Sequence, residues 1–245
     1  MFARALVRTI ARSAVKTTPL AALRVAAPRA ALPAIATPAF RRFAHGVSDK
    51  DLSLKLAEEL KYEDESSAEA DLSFLEEFKS KGIWKVEDKP GSKDVTLTRT
   101  FGNEKITLYF NTDALTEQNI ETEEEEEEGV PVVTSVIIEK PGVEGAIEIT
   151  ATAQDGAFFI DHVSFVKSPG LAHDQTAEGD WQRRSLFGGP IFGDLDESLQ
   201  DVFHRYLEER GFDTGLANFV GLYIEDKEQR EYRNWLASLN KFVSH

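Results

Sequence analysis

The chain contains no cysteine. Disulfide staples, thiolate metal centres and cysteine nucleophiles are therefore excluded. No apolar run approaches the roughly 20 residues that cross a bilayer as a helix, so the mature protein is expected to be soluble. The sequence also lacks an N-glycosylation sequon, a Gly-x-Ser-x-Gly elbow, a phosphate-binding glycine loop, a dinucleotide fingerprint and a His-Glu-x-x-His pair. Its five histidines, His45, His162, His173, His204 and His245, are scattered. His162 adjoins Asp161 in a strand pattern, where neighbours point to opposite faces and do not cooperate. The stretch DLDESLQD opens like a calcium loop, but it lacks the glycine at its sixth position and has Arg205 where a bidentate glutamate is required. Helix capping accounts for it better. No catalytic residue, metal ligand or cofactor site is expected.

Acidic residues are missing altogether from positions 1–44, which carry eight basic side chains: Arg4, Arg8, Arg12, Lys16, Arg24, Arg29, Arg41 and Arg42. On a helix, Arg4, Arg8 and Arg12 share one face and Phe2, Leu6 and Ile10 the opposite one. An amphipathic, Arg-rich, acid-free leader is the make-up of a mitochondrial transit peptide, with a basic nucleic-acid-binding arm as the competing reading. Pro19, Pro28, Pro33 and Pro38 break up any secretory apolar core. RRFAHG resembles a matrix-processing site, with cleavage expected around Phe43–Ala44. The expected organisation is a transit peptide over 1–44 and a single domain over 45–245.

Losing those eight charges leaves 20 basic against 43 acidic side chains, a net charge of −23. A bare phosphate backbone is repelled by such a body, and basic partners are attracted to it. Much of the excess sits in one place. Glu121, Glu123, Glu124, Glu125, Glu126, Glu127 and Glu128 fill all but one position of an eight-residue run between two strand-like segments. Taken alone, the run reads either as a solvated, self-repelling loop over 117–130 or as a polyanionic patch for basic proteins or cations.

The rest is patterned. SDKDLSLKLAEELKYED reads as a helix, with Ser48 and Asp51 as a capping box and Leu52, Leu56 and Leu60 on one stripe. DLSFLEEFKSKG is a shorter amphipathic piece ending at Gly82. From Trp84 the period becomes two. DVTLTRTF and EKITLYFN, joined by Gly102-Asn103, form a hairpin whose register sets Val95 opposite Phe110, Leu97 opposite Leu108 and Arg99 opposite Ile106. Thr96, Thr98, Thr100, Lys105, Thr107 and Tyr109 then share a wet face. VVTSVIIEK, AIEITATA and AFFIDHVSFVK continue a meander of five or six strands. Residues 168–193 read as a long irregular segment in which WQRRSLF is a candidate last strand. Two helices close the chain: one opens with Asp194 and Glu197 and ends at Gly211, and the other starts near Thr214. Tyr232, Trp235, Leu236, Leu239, Phe242 and Val243 form a strong apolar seam on the last. The architecture is α+β.

The order of these features resembles the mitochondrial acidic matrix protein family, also called the mitochondrial glycoprotein family, in its fungal branch. GIWKVEDKPGSKDVTLTRTFGNEKITLYFN, the acidic insert and the closing pair LDESLQDVFHRYLEERGFD and LANFVGLYIEDKEQREYRNWLASLNKFV carry the resemblance. It implies a seven-stranded twisted antiparallel sheet with one N-terminal and two C-terminal helices, and a ring-shaped homotrimer. It further implies a matrix protein without enzymatic activity: a multifunctional, chaperone-like binder tied to mitochondrial ribosome assembly, translation and oxidative phosphorylation. The expected partners are basic proteins, ribosomal ones foremost, while direct nucleic acid binding is disfavoured. A calcium or cation buffer is the alternative. On this reading the glutamate run is flexible and belongs to a larger acidic surface. The seam residues Trp235, Leu236, Leu239 and Phe242, with Leu52, Leu56 and Leu60, are the candidate oligomer contacts.

Overall fold

The computed structural model describes residues 46–67, 72–118 and 129–245. The expected transit segment, its cut near Phe43–Ala44 and the run Glu121–Glu128 lie outside the described residues. The elements are α1 (Val47–Ser67), α2 (Ser73–Ser80), β1 (Lys85–Asp88), β2 (Asp94–Phe101), β3 (Glu104–Asn111), α3 (Asp113–Gln118), β4 (Val132–Glu139), β5 (Ala146–Gln154), β6 (Ala157–Val166), α4 (Pro169–Ala172), α5 (Ala177–Arg184), α6 (Glu197–Glu209) and α7 (Thr214–Val243). The six strands pair in sequence order as one antiparallel meander. The hairpin register read from Gly102-Asn103 is the one observed, Val95 with Phe110, Leu97 with Leu108 and Arg99 with Ile106. Alternation places Val95, Leu97, Ile106, Leu108, Val136 and Ile149 on one face. There they are buried with Leu207, Leu216, Phe219, Val220, Tyr223 and Ile224 of the last two helices. Burying these apolar side chains is the main favourable term of the fold, about 1.5–3 kcal/mol for each large one.

Among the described residues the sheet has six strands, and the expected seventh is not formed. The first four residues of WQRRSLF finish α5. The Thr176 hydroxyl accepts from the Gly179 amide at 3.1 Å and caps that helix. Gly179 lies so close to Asp174 that a Cβ would come within 2.5 Å of it. The chain beyond runs beside β6 and makes a single antiparallel bridge, His162 with Ile191. Gly188, Gly189 and Pro190 stop the pairing there, because glycine weakens a strand and proline offers no N–H.

The polar face differs from expectation as well. Residues 168–193 are a folded strap, and its Ala172 and Leu171 pack on Ile137, Ala146 and Val166 to make a second small core. Thr107 is only 2% exposed. Two caps also move. Gly46 donates its amide to Asp49 at the start of α1, where Ser48 and Asp51 were expected. Asp196, not Asp194, accepts from the Ser198 amide and starts α6. Asp194 instead closes a short 3-10 turn, Phe192–Asp194. Within the loop expected at 117–130, residues 117 and 118 still belong to α3. Gly211 ends α6 as read, with φ of +83°; a Cβ there would strike the Arg99 guanidinium.

Candidate interaction surfaces

α1 and α7 run antiparallel. Ser53 donates to Asn240 at 2.8 Å, Tyr232 to Glu59 at 3.3 Å, and Arg233 reaches Asp64 at 3.5 Å. Gln229 donates to Glu63 in the same ladder. The leucine stripe and the terminal seam therefore meet within one chain. Leu56 and Leu236, at 7% and 2% exposure, are buried there, and Leu60 and Leu239 are half-buried. Leu52, Trp235 and Phe242 remain on the surface at 50%, 55% and 83%. Tyr232 stacks on Trp235, with centroids 6.0 Å apart. Of the seven candidate oligomer contacts, the structure consumes two inside the chain and leaves three open to solvent.

Where α7 crosses β1, a buried ion cluster joins them. Lys227 has no exposed surface and donates to Asp88 at 2.5 Å, with Glu231 at 3.3 Å. Asp88 also accepts from Tyr223 at 2.9 Å and Arg230 at 3.0 Å. Burial disfavours the Asp88 carboxylate, but the bonds from Lys227, Tyr223 and Arg230 outweigh it and hold its pKa below the usual value. Burial and the Asp88 bond push Tyr223 up to about 12. A second cluster ties α6 to the β3 end. Arg210 grips Glu104 bidentately at 2.7 and 2.9 Å, and Lys140 joins at 3.1 Å. The Arg210 bond keeps Glu104 below the ordinary carboxylate range. Sequence reading missed both clusters. The signal for the first was a lysine at position 227, four and three residues after Tyr223 and Ile224 on the buried stripe of α7.

On the strap, His173 sits 2.8 Å from the Tyr109 hydroxyl and 2.7 Å from Glu139. Arg183 meets Glu148 at 3.3 Å, both largely buried. The strap is thus held by an ionic and an aromatic anchor as well as by Ala172. Asp161 accepts from Thr152 beside a bulge in β6, and His162 faces Gly188. Among the described residues, no three His, Asp or Glu side chains assemble into a metal-holding group, and no helix is long and apolar enough to cross a membrane.

The glutamate run is framed by described residues. The Gly129 amide donates to Asp155 in the β5–β6 turn at 2.9 Å, and Asp113, at the start of α3, meets Lys93 at 2.6 Å.

The mitochondrial glycoprotein family model matches residues 56–243. The chain belongs to this family. It is 35% identical over 181 residues to the mitochondrial acidic protein mam33 of Schizosaccharomyces pombe, covering 64% of this chain and 67% of that one. Similarity to that fungal protein agrees with the branch read from the sequence. An uncharacterized mitochondrial protein of Arabidopsis thaliana is 33% identical, with 65% of this chain matched to 62% of its length. Among solved structures, the Trypanosoma brucei p22 protein matches with a TM-score of 0.64 and 30% identity, over 81% of this chain and 100% of that one. A Leishmania major protein described as a homologue of human p32 gives 0.64 and 26%, over 80% and 99%. This member of the mitochondrial glycoprotein family is a mitochondrial matrix protein of acidic character, with an α+β fold built on six strands.

Proposed function

We propose that the protein is a non-enzymatic, chaperone-like binder of basic proteins in the mitochondrial matrix, supporting ribosome assembly, translation and thereby oxidative phosphorylation. Residues 1–44 would direct it there and be removed. The observation that carries the reading is the charge: 43 acidic against 20 basic side chains once the leader is gone. Such a field raises the encounter rate with cationic partners and repels polyanions. Ribosomal proteins awaiting RNA are a cationic population that needs a temporary counter-charge. Self-association as a trimer fits the uncovered Leu52, Trp235 and Phe242 on the α1–α7 pair, since large exposed apolar groups mark interfaces. Seven carboxylates within eight positions favour one second reading, a weak, many-site cation buffer.

Tagged mature protein purified at physiological salt should carry ribosomal proteins with it. Recovery of none above an equally acidic control would overturn the binding reading, and saturable calcium uptake in their absence would support the buffer.

A further inference from the structure

On the polar sheet face, one row of paired residues crosses four strands: Thr96 with Tyr109, Tyr109 with Ser135, Ser135 with Thr150. All four carry hydroxyls, and they floor a cavity of about 1060 Å³. Gln175 and Arg184 of the strap form one wall, while Asp113 of α3 and Pro131, just before β4, belong to the other. Asp113 and Pro131 precede and follow the glutamate run in the sequence. Asp94 marks the β2 end.

Size and chemistry narrow the occupant. Strands about 4.8 Å apart make a four-strand crossing about 14 Å long, and an extended chain rising about 3.3 Å per residue covers it in four to five residues. Hydroxyls and the Gln175 amide offer donors and acceptors to a peptide backbone. Val133, 62% exposed on the floor, gives apolar ground for the methylene stem of a Lys or Arg. Asp94 stands where its charged head would end, beside Asp113, whose present partner Lys93 at 2.6 Å it would displace. Arg184, the basic side chain of the lining, is already engaged by Asp180 at 2.9 Å. The four hydroxyls of the floor suit a peptide backbone better than a lipid tail.

We propose that this trench holds an extended four- to five-residue segment of a basic partner, laid across the strands with a Lys or Arg between Asp94 and Asp113. The assignment rests on the acidic-binder reading and gives that function a seat on the folded body.

The test is calorimetric titration of the full chain, at physiological salt, with the blocked peptide Gly-Arg-Thr-Arg-Gly. Asp94→Asn combined with Asp113→Asn alters two surface carboxylates and leaves the core untouched; it should weaken binding about tenfold, roughly fivefold or less per exposed ion pair. Ser135→Trp, which fills the floor, should abolish binding. Replacing Glu123–Glu128 by Gln should weaken it less than either. If both trench variants bind like the parent while the glutamine variant does not, the trench is overturned and the acidic-binder reading stands. If the parent itself binds no basic peptide, both fall. Displacement of the peptide by an equimolar RNA pentanucleotide would also overturn the assignment.

Discussion

Lys227 and Asp88 show how much a single buried pair decides. An ammonium with no exposed surface is tolerable only because Asp88 and Glu231 face it, and Asp88 in turn is shared with Tyr223 and Arg230. Asp88→Asn takes from buried Lys227 its nearer counter-charge and leaves it Glu231 at 3.3 Å, while Arg230 keeps Asp226 at 2.8 Å; it should cost about 3 kcal/mol, in the range for breaking a buried pair. Lys227→Met leaves Asp88 with two donors and should cost clearly less. Urea unfolding of both variants checks the order, and equal losses would contradict it. The same carboxylates set the acid limit. Asp88 and Glu104 have folded pKa values below their unfolded ones. Their stabilisation is complete above the unfolded values near 4 and is lost as pH falls from there through the folded values. A thermal midpoint that is flat from neutrality to about pH 5 and then drops is expected; in Asp88→Asn the drop should be shallower.

Among elements, the α1–α7 pair is the one on which assembly turns. Leu236→Asp sets an unpaired charge against Leu56 and should cost several kcal/mol and loosen α1 from the body. Trp235→Ala, at an exposed position, should shift folding stability by no more than about 0.5 kcal/mol. If this surface joins subunits, the same change should lower the sedimenting mass; a Trp235→Ala protein that sediments like the parent would move the interface elsewhere. This pairing was legible in the sequence because both helices advertise stripes, Leu52–Leu56–Leu60 and Trp235–Leu236–Leu239. The β2–β3 register was legible because a two-residue loop permits few alternatives. The strap was not. Its burial depends on Leu171 and Ala172, too few for a period, meeting Ile137, Ala146 and Val166 from distant positions. Ile137 and Ala146 did fall on the polar parity of their strands, and that was the available hint. The seventh strand failed for a local reason: Thr176 caps a helix, and glycine and proline follow where pairing would have continued.

For the whole molecule, charge is the organising quantity. The net −23 of residues 45–245 is spread over helices, sheet edges and the glutamate run, so no single carboxylate carries the proposed function. Replacing Glu123–Glu128 by Gln removes six charges per subunit and should leave thermal stability unchanged or slightly raised, since adjacent carboxylates repel one another. Association with a basic ribosomal protein should become slower and less salt-dependent without vanishing. The most direct measurement of the central claim is the affinity of the mature protein for such a ribosomal protein, at low salt and at about 0.15 M, where the Debye length is near 8 Å. The account predicts tight binding at low salt, measurable binding at physiological salt, and a flatter salt dependence in the glutamine variant. Affinity that is indifferent to salt, or identical in parent and variant at both concentrations, would contradict it.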